Sequence, residues 1–89
     1  MTDQMRDYYG LNSHHSKAIR VIRSCDNLEQ LENAQRFSEI VIRFHISKMK
    51  DDIKSIRIGY KLAIEKSSEL MNQAIRDHRK KILRDENQF

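Results

Sequence analysis

"SCDNLEQLENAQRF", residues 24–37, decides how this chain folds. Ahead of it, Ala18, Ile19, Val21, Ile22 and Cys25 recur at steps of three and four residues, the pattern of one apolar helix face. After it, Leu28, Leu31, Ala34, Phe37, Val41 and Phe44 start a longer stripe of the same period, broadened by Ile40 and Ile42. Between the two, Asp26 and Glu29 match the capping box. The aspartate would accept from an amide of a new helix, and the glutamate would reach back to the cap amide. The stretch predicts a helix–corner–helix, with a new helix from Asp26 or Asn27 and Leu28, Leu31, Ala34 and Phe37 facing a core.

Such a corner can read DNA, with its second helix in the major groove. Here that helix would present Asp26, Glu29 and Glu32 before its first cation, Arg36. An acidic leading end repels phosphates, whose neutralisation supplies most non-specific affinity. The customary turn glycine is also missing. The corner is therefore expected to build the fold, not to read bases. Its pattern, S-C-x-x-L-E-Q-L-x-x-A-x-x-F, resembles a piece of small helical proteins of bacteriophages and related mobile elements. The resemblance covers 14 of the 89 residues. It implies a phage-like origin and carries over no functional residue.

Composition points the same way. With no proline, two glycines, 34% charged and 38% hydrophobic residues, the chain suits long helices better than sheets. No apolar run approaches the roughly 20 residues of a membrane span, and MTDQMRDYYGLN lacks the basic start and apolar stretch of a signal peptide. The single thiol, Cys25, suits a reducing compartment and a buried, inert role. A cytoplasmic protein, or a component of a phage particle assembled inside the cell, is expected. A chain this short has a modest core, so oligomerisation or docking on a larger partner is the expected reinforcement.

Residues 1–12 have no clear period and read as an extended arm, with a turn at Gly10 and Asn12. A single α-helical domain is expected over 13–89. Ser13 or Ser16 would cap a short helix running to about Ser24. Beyond the corner, a heptad stripe joins Ile46, Met49, Ile53, Ile56, Tyr60, Ala63, Ser67, Leu70 and Ala74. Its four or so heptads suggest coiled-coil-like packing or homo-oligomerisation. Because the register slips between Phe44 and Ile46, Asp51-Asp52 could interrupt the helix and create a helical hairpin. Without that break, residues 27–84 would form one extended helix roughly 85 Å long. In either form the fold class is all-α.

Net charge is +4, and the whole excess lies in residues 46–89, with eleven basic and seven acidic side chains. Arg76, Arg79, Lys80, Lys81 and Arg84 form a basic helix end, in which Arg76, Lys80 and Arg84 line up as a stripe suited to a polyanion or acidic partner. Tyr8, Tyr9 and Phe89 lie outside the periodic core and read as partner anchors. His14, His15, His45 and His78 lack the spacing of a metal site, and no phosphate-cradling loop or nucleophile elbow is recognisable. The sequence thus leads to a non-enzymatic helical structural or adaptor protein without metal or cofactor, acting in an assembly such as a phage virion. A small basic nucleic-acid-binding regulator and an inhibitor of a host protein are the alternatives.

Overall fold

The computed structural model describes residues 3–48 and 58–86, with side chains over 9–48 and 59–85. They form three helices: α1 (Asp3–Arg23), α2 (Leu28–Ser47) and α3 (Ile58–Glu86). The fold is all-α, and each helix packs against both others. Two contacts fix their directions. At one end His45 of α2 meets Tyr60 of α3, and at the other His78 of α3 meets Cys25 in the corner. Helices α1 and α3 therefore run parallel, with α2 antiparallel to both.

The corner is built one residue later than the Asp26–Glu29 box. Asn27 is the extended cap residue, and its side chain accepts the Gln30 N–H at 2.8 Å. Gln30 Oε1 in turn accepts the Asp26 N–H at 2.7 Å. The last turn of α1 is still closing here, since the Ser24 and Cys25 amides donate to the Arg20 and Ile22 carbonyls. Only after that can the backbone open into the extended cap, so N-x-x-Q is chosen over the overlapping D-x-x-E. Leu31 and Ala34 enter the core as expected, Phe37 packs at its edge, and Leu28 stays exposed.

Residues 3–12 are not an extended arm but the first half of α1. Leu11, 2% exposed, packs with Tyr60 and Ile64 in a small apolar cluster. The helical stripe runs from Leu11 through His14 and His15 to Ala18, Ile22 and Cys25. It becomes visible once the two imidazoles are read as inward-facing groups. Gly10 lies inside this helix without positive φ, and a methyl group there would touch His45 Cε1 at an ordinary 3.9 Å.

The buried face of α3 is Tyr60, Ile64, Ser67, Met71, Ile75, His78 and Ile82. Of the expected heptad stripe, Tyr60 and Ser67 are core, Ala63 and Ala74 are half-buried, and Leu70 is 45% exposed. The C-terminal turns explain the change of register. Extending the expected stripe beyond Ala74 would bury Asp77 and Lys81, whereas the adjacent stripe buries His78 and Ile82. Met49, Ile53, Ile56 and the Asp51-Asp52 pair lie outside the described residues.

Two apolar clusters make the core. The larger joins Ala18, Ile22, Leu31, Ala34, Met71 and Ile75 among others, and the smaller is Leu11, Tyr60 and Ile64. A polar belt of His14, His15, His45 and Ser67 lies where they meet. Among the described residues no helix is long and apolar enough to cross a membrane.

Because Gly10 is helical and has room for a methyl group, Gly10→Ala should stabilise the fold by roughly 0.5–1 kcal/mol. Thermal denaturation should show a rise of several degrees in Tm; a fall would mean that the His45 ring cannot accept the contact.

Candidate protein-interaction site

All four histidines of the chain bridge separate parts of the fold. His14 Nδ1 lies 2.9 Å from His45 Nε2, and His45 Nδ1 is hydrogen-bonded to the Tyr60 hydroxyl. His15 Nδ1 lies 2.7 Å from Ser67 Oγ. His78 Nε2 donates to the Cys25 carbonyl at 2.6 Å. With both imidazoles neutral, each has one donor and one acceptor nitrogen, and the chain from His14 through His45 to Tyr60 is polarised in one direction. Either Tyr60 donates to His45 and His45 to His14, or both bonds run the other way. His14, Phe44, His45 and Tyr60 also form a row of tilted and edge-on rings.

The His15–Ser67 pair has the donor–acceptor chemistry of a nucleophile and its base. Ser67 is nevertheless buried in the middle of α3, where backbone amides are committed to helical bonds and cannot stabilise a developing oxyanion. Its work is to join α1 to α3. Among the described residues, no group of three or more His, Cys, Asp or Glu is placed to hold a metal ion. Cys25 is buried and its thiol donates to the Val21 carbonyl at 3.1 Å. Burial and then the nearby Asp26 carboxylate push the thiol pKa up, which disfavours the reactive thiolate.

The surface is more informative. Helix α2 is apolar on two sides. Leu31, Ala34, Ser38, Val41 and His45 face the core, and Phe37, Ile40 and Phe44 form a second strip at i, i+3 and i+7. The ammonium of Lys17 lies 5.8 Å from the Phe37 ring centroid, and that of Lys48 lies 4.6 Å from Phe44. Ile40 between them is 62% exposed. Beside the strip, the seam between α1 and α2 opens into a groove of about 580 Å³ floored by Val21, Cys25, Ala34 and Phe37. Two of the acidic residues of α2 have other surroundings. Glu32 pairs with Arg36 at 3.5 Å, and Glu39 lines the cleft facing α3.

The residues singled out by sequence do not converge on one site. Tyr60 is fully buried, so it serves this fold's own core and is closed to a partner, while Ile46 and Leu70 remain exposed. Tyr9 is exposed on α1, and the Tyr8 side chain and Phe89 lie outside the described residues. Arg76, Arg79, Lys80, Lys81 and Arg84 are all exposed at the C-terminal end of α3. The Arg76 guanidinium donates to Gln73 Oε1 at 2.8 Å. Phe37 packs against the edge of the core, as the sequence predicts, whereas Phe44 of the same stripe is 46% exposed. The extra width that Ile40 gives to the α2 stripe marks this second side.

The chain matches no protein-family model, no curated protein and no solved structure.

Burial lowers the pKa of His15. The unfolded chain therefore binds a proton at this residue at a higher pH than the folded protein does. Stability is complete above the unfolded value near 6.5 and falls as pH drops through 6.5 toward the lowered folded value. His15→Asn keeps an amide in reach of Ser67 and should flatten this part of the profile in chemical denaturation. Equal slopes for the two proteins between pH 7 and 5 would show that His15 has no such linkage.

Proposed function

We propose that this protein is a non-enzymatic structural or adaptor module that works by docking one helix face into an assembly. The observation that carries the reading is the Phe37–Ile40–Phe44 strip. It is a second apolar face on a helix whose first face already fills the core, and it is set beside a groove. Aromatic and aliphatic anchors in such strips dominate protein interfaces. The phage-like pattern in residues 24–37 supports a particle-associated assembly as the setting. In-cell crosslinking of tagged wild type and Ile40→Asp tests the reading. A partner captured by wild type should be reduced roughly tenfold in the variant, the effect of losing one interface anchor. If both proteins capture the same set, or neither captures any, the docking role is wrong.

A second reading is favoured by the basic end of α3. Arg76, Lys80 and Arg84 stand one turn apart on the exposed side of a helix whose other side buries His78 and Ile82. Such a stripe suits a nucleic-acid backbone, and the chain would then be a small basic regulator. Neutralising the three residues to Gln should abolish duplex DNA binding at low salt and flatten its salt dependence. Unchanged binding, or none by wild type, rejects this reading.

A further inference from the structure

The two halves of α1 are held to the bundle by different means. The second half places Ala18 and Ile22 in the larger apolar cluster, whereas Leu11 of the first half packs only in the small cluster with Tyr60 and Ile64. Between them, the ties to α2 and α3 are the His14–His45–Tyr60 chain and the His15–Ser67 bond. The facing nitrogens of His14 and His45, 2.9 Å apart, need one proton between them. The pair in contact therefore holds at most one positive charge, because two charged rings would set two N–H groups against each other. Its charged surroundings do not relieve this. Three and four positions from His14 and His45 on their own helices stand Lys17 and Lys48 and no carboxylate. The Lys48 ammonium lies over Phe44, whose ring is edge-on to both imidazoles, and from α3 the facing titratable group is the Tyr60 hydroxyl. His15 shares its cleft with Asn12 and Lys66, and burial lowers its pKa. His78 is different. It donates to a carbonyl, which a charged ring does more strongly, and its cleft holds Asp26 and Asp85 beside Arg23 and Lys81.

We propose that His14, His15 and His45 form an acid-operated latch: proton uptake releases the first half of α1 from α2 and α3 and leaves the corner end, with His78, packed. The closed His14–His45 pair refuses a second proton that the opened chain accepts, and His15 adds another. Opening thus takes up about two protons below the usual histidine value of about 6.5, so it becomes more favourable as pH falls. The released segment stays tethered through Ala18 and Ile22, which hold by apolar contact that does not titrate. The latch is independent of either function proposed above.

Amide hydrogen exchange of the full chain between pH 7 and 5, corrected for the intrinsic pH dependence of exchange, tests this residue by residue. In wild type, the opening constant for the amides of residues 9–15 should rise roughly hundredfold per pH unit below pH 6, tenfold for each proton. The amides of residues 18–23 and 75–82 should keep their protection over the same range. His14→Gln leaves a charged His45 an acceptor, and His15→Asn removes the other titrating ring. Each should reduce the rise to roughly tenfold per pH unit, and the two together should remove it. His78→Gln should leave it unchanged. Circular dichroism at pH 7 confirms the fold of each variant, and either single variant suffices to measure the loss of one proton. Slopes equal to wild type in the folded His14→Gln and His15→Asn proteins overturn the proposal. So does protection lost in step along all three helices, which is unfolding of the whole bundle, or a wild type whose protection does not change with pH.

Discussion

The packing of this bundle depends on imidazoles held between helices. Apolar surface alone leaves α3 two adjacent ways to lie down, because Ala63-Ile64, Leu70-Met71 and Ala74-Ile75 each offer apolar neighbours. Hydrocarbon contacts distinguish such registers weakly. A hydrogen bond does so sharply, since a buried polar group left unpaired costs about 1–3 kcal/mol. Ser67 against His15, Tyr60 against His45 and His78 against the Cys25 carbonyl are satisfied together in the observed register. Among the described residues, no buried side-chain nitrogen or oxygen lacks a partner. Burial supplies the driving force, and the histidines select one arrangement from those that burial permits.

This division of labour explains what could be read in the sequence. Helical class, the corner at 24–27 and the inward placement of Ala18, Ile22, Leu31 and Ala34 follow from local period and capping. These signals act over a few residues and are written there in full. The first half of α1 was hidden because its inward positions include His14 and His15, which count as polar in any hydrophobic pattern. Their partners, His45 and Ser67, lie 31 and 52 residues further along the chain. No local reading sees those distances. The register of α3 was legible in principle, but only by following the stripe past Ala74, where Asp77 and Lys81 rule one choice out.

The candidate surface was harder to find for a related reason. A helix with apolar residues on two sides declares that it has two neighbours, but not which side belongs to the molecule itself. The core took the side of Leu31, Ala34, Val41 and His45, the side of Ile40 and Phe44 was left outward, and Phe37 lies at the boundary between them. Conversely, Tyr60 looked available for association and is enclosed. The exposed basic residues near the end of α3 were placed correctly by helical spacing alone, because charged side chains default to solvent.

The short corner between α1 and α2 also sets an order of assembly. Four residues, 24–27, separate the two helices, and Asn27 with Gln30 fixes their turn from local groups alone. Bringing α1 against α2 therefore closes a very short loop, and the entropy lost is small. The parallel contact of α1 with α3 is different. His15 and Ser67 lie 52 residues apart, so their bond closes one of the widest loops that side chains hold among the described residues. Much of that loop is already spent once α2 has folded back, which makes α3 the last element to settle. A chain emerging from the ribosome can make its α1–α2 pair early, while the α2 face that α3 will cover waits for the remaining third of the sequence.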